Sequence, residues 1–234
     1  MKRWIFGWAM VVMFGLVCPI QASVVMYLGG DEFSGTNVPI ADQAVRVVFE
    51  DVVGEINVVR LTIDALDLPV NGSTKIDQCY FNVDNADLLG ELVFNYCSGV
   101  EASETKQGQQ GQSYVENNYQ ADGDGKYDLF FTWIDPFKEG ATSVYEILLV
   151  PGSTNTLSET TFDILGIEGP GENKPGPFRA ALHLNAVDET GESGFYGTIE
   201  DEEPVGNDVP EPATLVIWSL LAAMAWAAAR WRKR

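Results

Sequence analysis

Between residues 23 and 199 the apolar positions recur every second residue in short runs, and Gly, Asn, Asp and Pro separate the runs. Over residues 55–63, Val59, Leu61 and Ile63 alternate with Arg60 and Thr62. Successive side chains of a strand point to opposite faces, so this pattern predicts a strand with one buried face. Residues 44–49 predict another. Further strands are predicted over 78–83, 91–96, 127–133, 143–150, 161–167, 178–185 and 194–199, and a short helix near 85–89. About nine short strands between turn residues predict an all-β fold, a single β-sandwich or jelly-roll-like domain. The Gly-, Gln- and Ser-rich residues 103–113 read as a mobile loop, and the Pro- and Gly-bearing residues 166–177 as an irregular one.

The pattern changes at both ends. Lys2 and Arg3 precede a largely apolar run over residues 4–17, and Ala22 offers a small residue for cleavage. That arrangement predicts a secretory signal peptide over 1–22. A retained anchor is the alternative, but the run is shorter than the roughly 20 residues of a spanning helix. At the other end, residues 213–229 carry no charge and reach the low edge of spanning length. Arg230, Arg232, Lys233 and Arg234 follow and would stay on the cytoplasmic side. The order of parts is therefore a signal peptide (1–22), a β domain (23–199), an acidic stalk (200–208) and a tail with a transmembrane helix (209–234).

Charge sharpens this division. The chain of 234 residues has a formal charge of −20, from 14 cations and 34 acids. Six of the cations sit in the two ends, and Glu211 is the one acid beyond residue 209, so the middle holds 8 cations against 33 acids, or −25. A body this acidic excludes nucleic acid as a partner, because phosphate binding needs a basic face.

Val209, Pro210, Glu211, Pro212, Ala213, Thr214 and Leu215, the apolar stretch and the basic end follow one another in an order that resembles the PEP-CTERM sorting signal of Gram-negative bacteria. The resemblance covers about a tenth of the chain. It implies recognition near Val209, Pro210, Glu211 and Pro212 by exosortase, a membrane cysteine protease-transpeptidase. It further implies removal of the helix and delivery to the cell envelope, surface or extracellular matrix, in bacteria that make exopolysaccharide and form biofilm. The body is more loosely similar to a layout within that group, through Phe33 to Thr36, Tyr80 to Val83 and the Asp122 to Asp128 segment. That second resemblance implies no activity.

Cys18 departs with the signal peptide, which leaves Cys79 and Cys97. An even pair in an exported domain predicts a disulfide, worth on the order of 3 kcal/mol for a loop of this length. Two free thiols are the alternative. Zinc is excluded, since two thiols and the distant His183 do not supply four ligands.

The segment from Gln120 to Asp128 alternates carboxylates with Gly. Calcium takes several oxygen ligands from a tightly turned loop. Gln120, Asp122, Asp124, the carbonyl of Lys126 and Asp128 fall on alternate positions of such a frame, although position 1 is a neutral amide and no terminal Glu follows. The alternative is a plain acidic turn ahead of a strand.

Nothing in the sequence specifies catalysis. His183 lacks a Gly-x-Ser-x-Gly partner motif, and no phosphate-cradling Gly loop occurs. Alternation puts Ala181, His183 and Asn185 on one face of their strand, with the more apolar Phe178, Ala180, Leu182 and Leu184 on the other. Tyr127, Phe131 and Trp133 share a strand face and read as core. Trp133, Tyr114, Tyr119, Tyr127, Phe195 and Tyr196 are candidates for stacking on sugar rings, with core as the competing reading for Trp133 and Tyr127. The expectation is a non-enzymatic exported protein, structural or adhesive, in contact with exopolysaccharide. The alternative is a secreted carbohydrate-binding or carbohydrate-cleaving sandwich.

Overall fold

On β2 (Val45–Asp51) the alternation becomes a sheet: Val45, Val47 and Phe49 are fully buried, while Arg46, Val48 and Glu50 take the other face. The computed structural model describes residues 23–30, 34–35, 38–69, 73–110, 113–121, 125–168, 178–187 and 189–198. The same pattern repeats there in two five-stranded antiparallel sheets. The first runs in the order β1 (Ser23–Leu28), β2, β3 (Val58–Ala65), β12 (Thr142–Leu149) and β5 (Leu92–Gly99). The second runs β15 (Gly194–Gly197), β14 (Ala180–Asn185), β4 (Lys75–Phe81), β11 (Leu129–Phe137) and β6 (Glu104–Gln107). A three-stranded sheet, β13 (Ile167–Glu168), β10 (Gly125–Tyr127) and β9 (Tyr119–Ala121), and a hairpin of β7 (Gln109–Gln110) and β8 (Ser113–Tyr114) complete the described strands. The fold is all-β, and no α-helix occurs among the described residues.

The two large sheets share one core. Phe49 of the first sheet meets Phe81 of the second edge-on, with ring centroids 5.4 Å apart. Phe131 on β11 likewise meets Phe94 of β5 at 5.3 Å and Tyr145 of β12 at 5.5 Å. Rings crossing between layers at these edge-to-face distances add to the burial that holds two sheets together. Along one side the edge strands are tied by the antiparallel bridge Leu28 to Thr198, and Gly29 N–H donates to the Gly197 carbonyl at 3.3 Å.

Most predicted strands exist, with ends displaced by a few residues. Four differences stand out. Residues 161–167 do not form a strand. Glu159–Phe162 is a 3-10 turn, in which Thr161 Oγ1 accepts the Ser158 N–H at 3.3 Å, and only Ile167–Glu168 pairs. Phe162 is buried because it plugs the core, a role that a short apolar run does not distinguish from a strand. Residues 103–113 are not simply a loop, since they hold β6, β7 and part of β8. β6 is an edge strand, and polar side chains are what an edge carries to avoid pairing with other chains. The predicted strand 127–133 is broken at Asp128 into β10 and β11. The short helix near 85–89 is a single 3-10 turn, Ala86–Leu88, and Asn85 Oδ1 accepts the Asp87 N–H at 2.9 Å.

The expected disulfide is corrected: Cys79 and Cys97 are both free. Cys79 points into the core from β4, in the second sheet, whereas Cys97 is exposed on β5, in the first. Cys97 is the extra residue where β5 slips against β12, between the pairs Tyr96–Tyr145 and Ser98–Val144. A bond between side chains directed to the core and to solvent from different sheets does not meet disulfide geometry. The predicted signal peptide, acidic stalk and sorting tail lie outside the described residues.

Candidate functional site

The outer face of the second sheet carries two parallel rows of side chains. The antiparallel registers align Glu104, Thr132, Gln78, His183 and Phe195 from β6 to β15. They also align Lys106, Phe130, Tyr80, Ala181 and Gly197 beside them. The three-stranded sheet covers the second row: Tyr80 and Ala181 are buried with Ala121 and Tyr127, and Tyr119, Phe130, Phe178 and Phe195 pack around them. Gly197 is required here, since a Cβ on it would stand 2.4 Å from the Phe178 ring. The first row is left partly exposed.

His183 is the centre of that first row. Its ring stacks on Phe195, with centroids 4.4 Å apart and planes at 29°. Nδ1 lies 3.2 Å from Asp77 Oδ2, and the His183 side chain is 15% exposed. Asp77 reaches it because β4 is irregular there: Gln78 pairs with His183 and Ile76 with Leu184, which leaves Asp77 as an extra residue. A bulge of this kind re-aims a side chain that strict alternation would place elsewhere. Thr132 Oγ1 donates to the Asp77 carbonyl at 3.1 Å, and Lys75 Nζ is 3.9 Å from Asp77 Oδ1. Tyr80 O–H donates to Gln78 Oε1 at 2.5 Å. Asp77 has no motif around it, and alternation gives it no place beside His183, so sequence reasoning missed this contact.

The predicted aromatic sites divide. Tyr127, Phe131 and Trp133 are fully buried, as core residues, and Trp133 Nε1 donates to the Val100 carbonyl at 3.3 Å. Tyr196 is buried too, and its hydroxyl donates to the Val38 carbonyl at 2.8 Å. Tyr114 is exposed.

Of the calcium frame, Asp122 and Asp124 lie outside the described residues. Gln120 and Lys126 face each other as a pair in the β9–β10 ladder. Asp128 is buried, with Oδ2 accepting the Val83 N–H at 3.1 Å and Oδ1 the Asn117 N–H at 2.6 Å. Burial raises its carboxyl above the usual aspartate range, against the lowering effect of the Asn117 and Val83 amides. Among the described residues no group of three or more His, Cys, Asp or Glu side chains is placed to hold a metal ion.

A second acidic contact lies at one end of the core. Glu159 N–H donates to Asp51 Oδ1 at 2.9 Å, and burial raises the Glu159 carboxyl above the usual glutamate range. No family model, curated protein or solved structure matches this chain.

Proposed function

We propose that the chain is an exported, non-enzymatic protein of the cell envelope or extracellular matrix, sorted by exosortase through its tail. The observation that carries this reading is the order of Val209, Pro210, Glu211 and Pro212, the uncharged residues 213–229 and the terminal basic cluster. The β domain would then be the delivered part, with a structural or adhesive task in contact with exopolysaccharide. Its acidity supports solubility after delivery, because a body at −25 repels its own copies. For the loop from Gln120 to Asp128 the plain turn is favoured over calcium, since both Asp128 oxygens serve backbone amides. Replacing Pro210, Glu211 and Pro212 by Ala should leave the tail uncleaved in an exosortase-bearing host. Normal processing of that variant would reject the sorting assignment.

The jelly-roll form of the sandwich is supported by strand order. β3, β12 and β5 adjoin in one sheet and β14, β4 and β11 in the other, so early and late strands interleave in both. The second functional reading, a carbohydrate-binding or carbohydrate-cleaving sandwich, is favoured by the row Gln78, His183 and Phe195 beside Asp77. A flat ring flanked by amide, imidazole and carboxylate groups suits a sugar, which offers an apolar face and hydroxyls. Binding to a polysaccharide panel that is lost in a Phe195→Ala, Gln78→Ala double variant would select this reading. Equal binding by both proteins would dismiss it.

A further inference from the structure

The outer face of the first sheet is ordered in rows, because the register of its strands aligns every second residue. Tyr27, Arg46, Asp64 and Thr142 form one row across β1, β2, β3 and β12. Val25, Val48, Thr62, Val144 and Ser98 form the next, across all five strands. Ser23, Glu50, Arg60, Glu146 and Asn95 form the third. With strands about 4.8 Å apart, the middle row runs for roughly 19 Å. It is uncharged and open to solvent: Val25 is 37% exposed, and Val48, Thr62 and Val144 are half-buried.

The charges of the flanking rows are set in a definite order. Arg46 Nη2 is 2.6 Å from Asp64 Oδ2, and the Thr142 hydroxyl donates to Asp64 Oδ1 at 2.7 Å. Arg60 is 3.6 Å from Glu50 and 3.1 Å from Glu146. On β2 a cation and an anion therefore stand on either side of Val48, and on β3 on either side of Thr62. A two-fold axis laid along the middle row turns each strand end for end onto its counterpart. It sets Arg46 over Glu50 of a second copy, Arg60 over Asp64 and Glu146 over Thr142, and each contact occurs twice. Val25, Val48, Thr62 and Val144 then meet their own counterparts. An axis along β3 would instead set Glu50 over Glu146 and Arg60 over Arg60. An axis along either charged row would set every charge in that row over itself. Like charges brought face to face oppose association, so of these axes only the middle row complements itself.

The charge of the whole body favours the same face. Two bodies at −25 repel each other. On these three rows two arginines stand against three carboxylates, or −1, so the repulsion is weak where the faces meet. Sheets packed face to face lie about 10 Å apart with their strands nearly aligned, and short Val, Thr and Ser side chains along the axis permit that approach. We propose that the protein forms a two-fold dimer through this face, with a second copy of the chain packed sheet against sheet along the row of Val25, Val48, Thr62 and Val144.

Sedimentation equilibrium of the whole purified protein tests this, in a mild detergent that keeps the apolar residues 213–229 of different copies apart. Wild type should be a dimer at roughly 100 µM. Thr62→Lys sets two cations against each other on the axis and should leave a folded monomer, with circular dichroism reporting the fold. If that variant does not fold, Val25→Lys makes the same test from an exposed position on the edge strand. Glu50→Lys sets a cation over Arg46 at two places in the dimer and should raise the dissociation constant at least about tenfold. Ile56→Lys, outside the three rows, should associate as wild type does. A wild type that is monomeric at that concentration overturns the proposal, and so does one that associates only when polysaccharide is added. A dimer that survives in the folded lysine variants of the middle row also overturns it, because another surface then holds the copies. An unchanged constant in Glu50→Lys refutes the two-fold arrangement.

Discussion

The Asp128 carboxylate accepts the backbone N–H of Asn117 at 2.6 Å, and Asn117 sits at φ 57°, in the left-handed region. Its second oxygen holds the Val83 N–H at the end of β4. One side chain therefore fixes a strained turn and the step where β10 becomes β11. Asp128→Ala leaves two amide donors without this acceptor. The expected loss is roughly 3 kcal/mol, about 9 °C in Tm, read by thermal unfolding at neutral pH. A shift under about 2 °C would show that water replaces the carboxylate at no cost.

The pH dependence follows from opposed carboxyls. Asp128 and Glu159 are raised above 3.8 and 4.5, chiefly by burial, so their contribution is full in acid and lost as pH rises through the raised values. Glu91 is lowered by the Ser153 hydroxyl and the Asn155 amide, so its contribution is present above 4.5 and lost below its folded value. The Tm should peak near about pH 5 and decline towards pH 8. A Tm that climbs steadily from acid to pH 8 would contradict these signs.

The two cysteines of the domain should differ in reactivity. Burial pushes the Cys79 thiol far up, and the fully covered sulfur meets no reagent. Cys97 is exposed on an irregular edge strand. Under native conditions a thiol reagent should label Cys97 within minutes and Cys79 only after denaturation, as peptide mass mapping would report. Equal native labelling would mean that β4 opens readily.

Asn82 is 3% exposed, and among the described residues neither its amide oxygen nor its amide nitrogen has a hydrogen-bond partner. Buried polar atoms left unsatisfied cost more than an apolar group of the same shape. Asn82→Leu should therefore raise stability by about 1 kcal/mol, seen as a Tm higher by about 3 °C. A fall would locate a bound water there, whose bonds the leucine removes.

Phe162 and Ile56 test the placement of the core. Phe162→Ala opens a cavity against Phe49 and should cost about 3 to 5 kcal/mol in denaturant unfolding. Ile56 is 87% exposed, and Ile56→Ala should stay within about 0.5 kcal/mol. Comparable losses from the two would mean that the buried face had been assigned wrongly.

The strands were legible because alternation is a local signal. Val59, Leu61 and Ile63 had to share a face whatever the fold, and all three are fully buried. Ala180, Leu182 and Leu184 obeyed the same rule on β14. β6 was not legible, because an edge strand of Glu104 to Gln107 has the composition of a loop. The Asp77–His183 contact was hidden for another reason: it depends on one extra residue in β4, and a bulge has no compositional mark.

Sequence by itself determined the all-β class, the buried face of most strands and the division of charge between an acidic body and basic ends. Each of these follows from neighbours along the chain. Tertiary structure decided which strands adjoin, and with that the separation of Cys79 from Cys97 into different sheets. It also decided the meeting of Asp77 with His183 and of Asp51 with Glu159. The chain crosses repeatedly between two sheets, so partners are chosen by packing around a shared core. A two-residue period says which way a side chain points, and it carries no information about what stands opposite.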